Sequence, residues 1–170
     1  TIGSLSECGY SAGIGFRGLE PAFVTATYAR PWVDNYVEKL YIQQDPTIKF
    51  GLSRTGHITW DKLERAYPDS SDFFSDARGF GLVHGNTLSI RAVGQISILS
   101  CSGPAWDAGE VKRASASLHA LAVLHAFPDT GKAIELTDRV KDVLRLMCGG
   151  AKDQEISELL NVKIETVRAR

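Results

Sequence analysis

The feature that most constrains this chain is a spaced run of aromatic residues closed by an acidic residue and a proline. It reads Tyr-x3-Trp-x3-Tyr-x8-Asp-Pro and consists of Tyr28, Trp32, Tyr36, Asp45 and Pro46. A helix over Pro31 to Gln43 would stack Trp32 and Tyr36 on one face. Tyr28 would then precede the helix and Asp45 would follow it. The resulting lining of an indole donor, two phenols and a carboxylate suits a neutral amphiphile with a few carbonyls and an N–H.

Each of these residues also has a purely structural interpretation. A lone tryptophan such as Trp32 is more often part of a core than of a binding site, although a buried indole N–H still needs an acceptor. Asp45 precedes a proline, and an Asp-Pro pair commonly ends a helix. A buried carboxylate without a partner would be costly and would tend to take up a proton. An amide N–H of a ligand would be a suitable partner, so Asp45 discriminates best between the two interpretations.

The remaining pattern predicts strands and helices without the regular alternation that builds a parallel sheet. Strands are expected in four segments, of which the last two form a hairpin around Gly94: residues 11–16, 23–29, 86–93 and 95–101. Short helices are expected at 61–65 and 71–78, with Gly79 as a left-handed cap. The sequence therefore predicts an α+β domain with a mostly antiparallel sheet.

A long helix is expected after Pro104, with Asp107 and Glu110 forming its capping box. Its apolar stripe, at spacings of three and four, predicts a face that packs against the sheet or a second subunit: Val111, Ala114, Leu118, Leu121 and His125. Pro128 to Lys132 has the composition of a linker. We therefore expect one domain at 1–127, a linker at 128–134 and a second domain at 135–170.

Composition and motifs argue against membrane proteins and enzymes. The 170 residues are 44% hydrophobic and 23% charged, as in a soluble globular protein, and no apolar run reaches the length of a membrane span. Three scattered cysteines fit free thiols in a reducing cytoplasm. The histidines have no metal-ligand spacing, and the nucleophile motif Gly-x-Ser-x-Gly is absent. No catalytic residue, metal or cofactor is therefore predicted.

Charge gives little indication of a nucleic-acid partner. Residues 1–134 carry 12 basic and 13 acidic side chains, and residues 135–170 carry 7 of each. A DNA-binding domain normally has a basic surface. The chain starts without Met, so we expect an N-terminal segment to be absent from it. The balanced charge of both parts predicts no strong non-specific attraction to nucleic acid.

Three groups of residues resemble the LuxR-type quorum-sensing transcription factors, which sense N-acyl homoserine lactones. The first is the aromatic run with Asp45 and Pro46, followed at the family's distance by Trp60. The second, Phe80 to Thr87, matches the pattern Phe-Gly-x-x-x-Gly-x-Thr. The third, from Leu136 to Val167, is similar to the start of the family's helix-turn-helix. The resemblance implies an α-β-α sandwich that holds a lactone between the sheet and the helices on one face.

The resemblance also implies roles for individual residues. Trp32 would donate to the lactone ring carbonyl, Tyr28 would meet the amide carbonyl, and Asp45 would accept the amide N–H. Tyr36 would pack along the acyl chain, and Trp60 would line the end of the pocket that holds the lactone ring. Ser100 shares a face with Ile96 and Ile98 by period-two alternation, and its hydroxyl would face the ligand's carbonyl region.

In the second domain, Thr137 is expected to cap a helix to about Met147, and Asp153 to cap the next one. Asn161 would take the left-handed turn before a recognition helix that starts near Lys163. DNA contacts are implied for three of its residues, with the arginine as the base-contact candidate: Thr166, Val167 and Arg168. An Arg168 that only faces solvent is an equally weighted alternative to the base contact. Val140 and Ala151 depart from the family's pattern.

The leading hypothesis is a cytoplasmic bacterial transcription factor that binds a lactone and then, as a homodimer, DNA. One alternative is a truncated inhibitory partner or a sensor of another small amphiphile. A lactone-modifying enzyme is a third hypothesis, but it lacks an evident metal site or nucleophile.

Overall fold

The computed structural model describes residues 2–126, 137–148 and 151–168. The chain divides into two compact units, Thr1–Pro128 and Asp129–Arg170. The predicted linker, 128–134, lies outside the described residues. Within the described ranges, no helix is both long and apolar enough to cross a membrane.

The larger unit combines a five-stranded sheet with five α-helices. The strands are β1 (Tyr10–Arg17), β2 (Glu20–Ala26), β3 (Gly56–Thr59), β4 (Gly85–Ala92) and β5 (Gln95–Ser102). The helices are α1 (Arg30–Glu38), α2 (Pro46–Ser53), α3 (Trp60–Ala66), α4 (Ser71–Gly79) and α5 (Ala108–Ala126). Short 3-10 helices occur at Ile2–Leu5, Tyr41–Gln43 and Pro68–Ser70.

The strands are ordered β2-β1-β5-β4-β3, and every neighbouring pair is antiparallel. The α+β class with a mostly antiparallel sheet is confirmed. The sequence predicts four strands and misses β3, because a strand of four residues is too short to give a clear period-two pattern. The predicted hairpin joins β4 to β5 through Val93 and Gly94, with φ of 51° and 74°. Two consecutive positive φ angles define the turn that best matches strand twist.

The two faces of the sheet pack against different helices. On one face, aliphatic residues of β1, β4 and β5 form a core with α5, including Ile14, Leu88, Leu99 and Leu118. On the other face lie α2 and α3, with a mainly aromatic cluster from α1, α3, α4 and the segments between them. The result is a helix–sheet–helix layering.

Helix α5 begins as its sequence predicts. Glu110 N–H donates to Asp107 Oδ1 over 2.8 Å, and Asp107 N–H donates to Glu110 Oε2 over 3.0 Å, which confirms the capping box. The apolar stripe packs on the sheet of the same chain, and the side chain of Leu118 is 0% exposed. His125, at the end of the stripe, stacks on Phe23 of β2 with 4.2 Å between ring centroids. Of the two interpretations of this stripe, the structure supports packing against the sheet.

The helix predicted over Pro31 to Gln43 is wrong in its second half. Helix α1 ends at Glu38, and Leu40 adopts a left-handed conformation with φ of 52° that interrupts the helical hydrogen bonds before Tyr41–Gln43. Helix α2, which begins at Pro46, was not predicted. The left-handed cap predicted at Gly79 is also wrong, since Gly79 closes α4 and the positive φ, 81°, occurs at Gly81.

The smaller unit has three described helices, α6 (Asp138–Cys148), α7 (Asp153–Leu159) and α8 (Ile164–Arg168). Asn161 has the expected positive φ, 50°. The cap of α7 is Lys152 rather than Asp153, and Lys152 N–H donates to Glu155 over 2.8 Å.

Val143 and Ile156 form the buried core of this unit together with Val167. A DNA contact through the side chain of Val167 is therefore contradicted, because that side chain is turned inward. Thr166 is half-buried, and the side chain of Arg168 lies outside the described residues.

Candidate functional site

A cavity of about 220 Å³ lies between the sheet and helices α1 to α4. All six residues predicted to bind a ligand line it: Tyr28, Trp32, Tyr36, Asp45, Trp60 and Ser100. They come from five different parts of the fold, so the cavity forms only when the sheet and helices are assembled. Most of the other lining residues are apolar, including Phe16, Val24, Val33, Ile48, Phe73 and Ile98. The structure thus provides an apolar cavity that carries a small polar group of residues.

Asp45 is buried, with 5% of its surface exposed, and its two carboxylate oxygens have separate partners. Oδ1 accepts the Thr47 backbone N–H over 2.7 Å and thereby caps α2. Oδ2 accepts the Tyr36 hydroxyl over 2.8 Å. Burial raises the pKa of Asp45, while the hydrogen bonds from Thr47 and Tyr36 oppose that rise. A carboxylate has about four acceptor positions, so lone pairs remain for a donor in the cavity.

Tyr36 and Tyr28 both take part in hydrogen bonds within the protein. Tyr36 was expected to make apolar contacts, but its hydroxyl holds Asp45 in place. The Tyr28 hydroxyl donates to the carbonyl oxygen of Ser100 over 3.0 Å, which ties the segment before α1 to β5. Burial is the main cause that raises the pKa of each phenol, so both remain protonated at neutral pH. Donation from Tyr28 to a ligand would require its hydroxyl to turn away from Ser100.

Trp32 lies at the centre of an aromatic cluster that forms one wall of the cavity. Its ring centroid is 5.6 Å from that of Phe73 and 6.0 Å from that of Tyr36, both with edge-to-face geometry. Phe80 and Tyr41 lie 5.7 Å and 6.2 Å away. Such packing fixes the orientation of the indole. The indole N–H has no hydrogen-bond partner among the described residues.

Trp60 begins α3 and lies flat against Gly85 of β4. A Cβ at Gly85 would overlap two indole carbons and would lie 2.6 Å from the Cys101 carbonyl oxygen, so only glycine allows this contact. Trp60 Nε1 and Thr87 Oγ1 are both buried without a hydrogen-bond partner in the described part of the chain. Buried polar atoms are normally paired, and an unpaired one needs an explanation.

Thr87 was noted in the sequence only as part of a motif. It is paired directly with Ser100 across β4 and β5, so the two side chains share the face of the sheet that borders the cavity. Ser100 itself is buried on that face together with Ile98, as period-two alternation predicts. Applying the same alternation to both strands of the predicted hairpin would have identified Thr87.

A second polar cluster, outside the cavity, connects two of the helices that enclose it. Asp76 of α4 accepts hydrogen bonds at Oδ2 from Lys39 Nζ (2.5 Å), Tyr41 Oη (2.7 Å) and Asn35 Nδ2 (3.2 Å). These bonds lower the pKa of Asp76 to about 2, with the bond from Lys39 as the largest cause. The cluster therefore joins α1 and the segment after it to α4.

No three His, Cys, Asp or Glu side chains within the described ranges are grouped to hold a metal ion.

A family model described as "Autoinducer binding domain" matches residues 8–127. The chain is 29% identical over 175 residues to the transcriptional activator protein SolR of Ralstonia nicotianae, covering 94% of this chain and 72% of SolR. It is 24% identical to the transcriptional activator protein VanR of Vibrio anguillarum, covering 85% of this chain and 65% of VanR. The chain thus spans less than two thirds of VanR. The matched relatives are transcriptional activators rather than enzymes, which confirms the expectation of a non-enzymatic protein.

Two solved structures share the fold. A crystal structure of Escherichia coli SdiA aligns with a TM-score of 0.56 and 23% identity over 98% of this chain and 75% of SdiA. CepR2 from Burkholderia cenocepacia, described as an N-acylhomoserine lactone dependent LuxR family transcription factor, aligns with a TM-score of 0.53 and 22% identity, covering 74% of this chain and 77% of CepR2. The match of the family model over residues 8–127 shows that the chain belongs to the autoinducer binding domain family, whose fold the two solved structures share.

Proposed function

We propose that this protein is a ligand-responsive transcription regulator that binds an N-acyl homoserine lactone in the cavity beside Asp45. The observation that carries the proposal is the buried Asp45 carboxylate in a mainly apolar cavity. Thr47 N–H donates to Oδ1 and the Tyr36 hydroxyl donates to Oδ2, and a carboxylate has acceptor capacity for further donors. The amide N–H of an acyl homoserine lactone is such a donor.

The other polar groups of the cavity suit the carbonyls of the same ligand. The indole N–H of Trp32 is available to the lactone carbonyl, and the hydroxyls of Tyr28 and Ser100 lie on the walls near the amide. Trp60 Nε1 and Thr87 Oγ1 would gain partners from a polar ligand group or from a water that it holds. The apolar remainder of the cavity suits the acyl chain.

Ligand binding in such a site is coupled to stability. A molecule that binds only the folded state stabilises it by RT ln(1 + [L]/Kd), about 2.7 kcal/mol at a hundredfold excess over Kd. The lactone would also reduce the cost of the buried carboxylate by giving it a further hydrogen bond. We therefore expect more soluble protein when cells express the chain in the presence of its lactone.

For the smaller unit, we propose part of a DNA-binding helix-turn-helix. Three short helices with a left-handed turn at Asn161 between the second and third support this assignment. Thr166 and Arg168 remain the candidates for DNA contacts. The whole protein would act in the cytoplasm as a homodimer that binds DNA when the lactone is present. A sensor of a different neutral amphiphile, or an inhibitory member that forms inactive heterodimers, are the alternatives.

The first experiment is to identify what the protein binds. The chain would be expressed in cells supplied with a mixture of acyl homoserine lactones, purified and denatured, and the released small molecules would be analysed by mass spectrometry. Recovery of an intact lactone in about equimolar amount supports the proposal. Recovery of another amphiphile favours the alternative sensor. A ring-opened or cleaved product, or no bound molecule and no lactone binding by titration calorimetry, would overturn it.

A further inference from the structure

Phe16 lines the cavity, and its position depends on an irregularity in strand β1. Gly13 of β1 pairs with Ile98 of β5, and Phe16 pairs with Ile96. Between these two pairs, β1 advances by three residues and β5 by only two. Strand β1 therefore contains one extra residue, which defines a β-bulge. Gly15, inside the bulge, has φ of 69°, a conformation that favours glycine.

The bulge changes the face on which Phe16 lies. In a regular strand, Ile14 and Phe16 would point to the same side, because side chains alternate with period two. Ile14 packs in the core beneath α5. Phe16 instead lines the cavity on the opposite face, with 8% of its surface exposed. The extra residue therefore moves an aromatic ring from the core side to the cavity side.

Two neighbouring residues hold this arrangement. The backbone N–H of Gly15 donates to the hydroxyl of buried Ser97 over 3.2 Å, which gives the N–H inside the bulge a partner. The Phe16 ring occupies the space above Gly13. A Cβ at Gly13 would lie 2.5 Å and 2.6 Å from two carbons of that ring. Gly13 therefore leaves room for Phe16, and the ring is a fixed part of the cavity wall.

The distance between this ring and the polar group of the cavity is set by the sheet. Ser11 pairs with Ser100, and Phe16 pairs with Ile96, four residues further along β5. At about 3.3 Å per residue, Phe16 lies about 13 Å along the strand from Ser100. The cavity volume of about 220 Å³ is below the range of roughly 300–1,000 Å³ that is usual for drug-sized ligands.

We propose that Phe16, positioned by the Gly13–Gly15 bulge, is the length stop of the apolar part of the cavity. It restricts the ligand to short or medium acyl chains, of the hexanoyl to octanoyl class. This inference rests on the proposed lactone function and adds to it a specificity-determining residue. Phe16 acts by contact with the end of the acyl chain and has no part in holding the lactone head.

The test measures how affinity depends on acyl length. The 170-residue chain and its variants would be titrated with butanoyl, hexanoyl, octanoyl, decanoyl and dodecanoyl homoserine lactones. For the wild type, the dodecanoyl compound is expected to bind at least ~10-fold more weakly than the octanoyl compound, since even one surplus methylene in an apolar pocket changes binding about 10-fold or more. Phe16→Ala is expected to shift the optimum to decanoyl or longer.

Gly13→Ala is the matched variant, and it is expected to shift the preferred acyl-chain length in the opposite direction. Its methyl group displaces the Phe16 ring and reduces the free space, so the optimum is expected to move to shorter chains. In the double variant Gly13→Ala/Phe16→Ala, the ring that the methyl group meets is absent, and the preference for longer chains is expected to return. Phe16→Leu is the milder replacement to use if circular dichroism shows that Phe16→Ala does not fold.

The outcomes distinguish failure of the proposed length stop from failure of the proposed lactone-binding function. If the lactones bind but the length profile is the same in the wild type, Phe16→Leu and Phe16→Ala, the length stop is wrong and the proposed function stands. If no lactone binds the folded wild type, the proposed function fails and this inference fails with it. A shift to longer chains with Phe16→Ala or Phe16→Leu, and to shorter chains with Gly13→Ala, supports it.

Discussion

Tyr36 donates its hydroxyl proton to Oδ2 of Asp45 over 2.8 Å, so a residue of α1 holds the carboxylate that begins α2. The same carboxylate accepts the backbone N–H of Thr47 as a helix cap. Asp45 therefore has a structural role and faces the cavity at the same time. Asp45 thus fits both the structural and the cavity-facing interpretation of an aspartate before a proline. It begins helix α2 rather than ending a helix.

Asp45→Asn is expected to weaken lactone binding by at least ~1.5 kcal/mol, because a charged acceptor is replaced by a neutral amide. The amide can still accept the Thr47 N–H, so α2 should keep its cap. Titration calorimetry against the preferred lactone measures the effect. Asp34→Asn is the control, since Asp34 is an exposed acidic residue of α1 that does not line the cavity, and its replacement should leave lactone affinity unchanged. Equal affinities of Asp45→Asn and wild type would contradict the role given to Asp45.

Tyr36→Phe is expected to change the pH dependence of binding. The hydrogen bond from Tyr36 lowers the pKa of Asp45 against the larger effect of burial, so its loss raises that pKa further. The ionised carboxylate is the better acceptor, and lactone affinity should fall as pH drops through the pKa of Asp45. The fall should begin at higher pH in Tyr36→Phe than in the wild type. Coincident pH profiles of Kd would show that the phenol has no influence on the carboxylate.

The pH dependence of stability should differ in sign for the two acidic residues. The folded-state pKa of Asp45 is raised, so its ionisation opposes folding at neutral pH and this cost disappears as pH falls. The pKa of Asp76 is lowered to about 2, so its contribution is present above the ordinary carboxyl pKa and is lost between about pH 4 and pH 2. Asp76→Asn should therefore be less stable than wild type at pH 7, with a difference that narrows below pH 4. Urea unfolding at several pH values measures this, and a constant difference would contradict it.

Two leucines of α5 distinguish its inner face from its outer face. Leu118 is 0% exposed against the sheet, and Leu124 is 70% exposed. Leu118→Ala should destabilise the protein by about 2–5 kcal/mol. Leu124→Ala should change stability by less than about 0.5 kcal/mol, as is usual for exposed sites. Thermal unfolding compares the two, and similar losses would show that the outer face is covered.

A substitution on α5 also tests where two copies of the chain would contact each other. Leu118→Glu does not suit this purpose, because a charge in the core would unfold the domain. Leu124→Glu should reduce dimerisation in analytical ultracentrifugation if the outer face of α5 forms the contact, and lactone binding should survive. A fully dimeric Leu124→Glu protein would place the contact elsewhere.

Features encoded by neighbouring residues were predictable from the sequence. The capping box of Asp107 and Glu110 and the hairpin at Gly94 depend on residues within a few positions of each other. The predicted binding residues come from motifs that spacing and resemblance single out. The cavity then brings together residues as distant as Tyr28 and Ser100, which the order of motifs alone does not show.

Features that depend on distant pairings were missed. The β-bulge that turns Phe16 into the cavity is defined only by its register with β5, more than 80 residues later. The cluster around Asp76 joins residues 37 positions apart in the case of Lys39. Leu40 takes a left-handed conformation for which a leucine gives no local signal, so the end of α1 could not be located.

The alternation of side chains along β4 and β5 has a consequence for how such a protein can diverge. Residues on the sheet face that borders the cavity, such as Thr87 and Ser100, alternate with residues facing the core under α5, such as Leu88 and Leu99. Substitutions on one side leave the packing on the other side largely untouched. Substitutions at the cavity-facing positions of these two strands can therefore change ligand specificity. The core between the sheet and α5, which the alternate positions form, can stay the same.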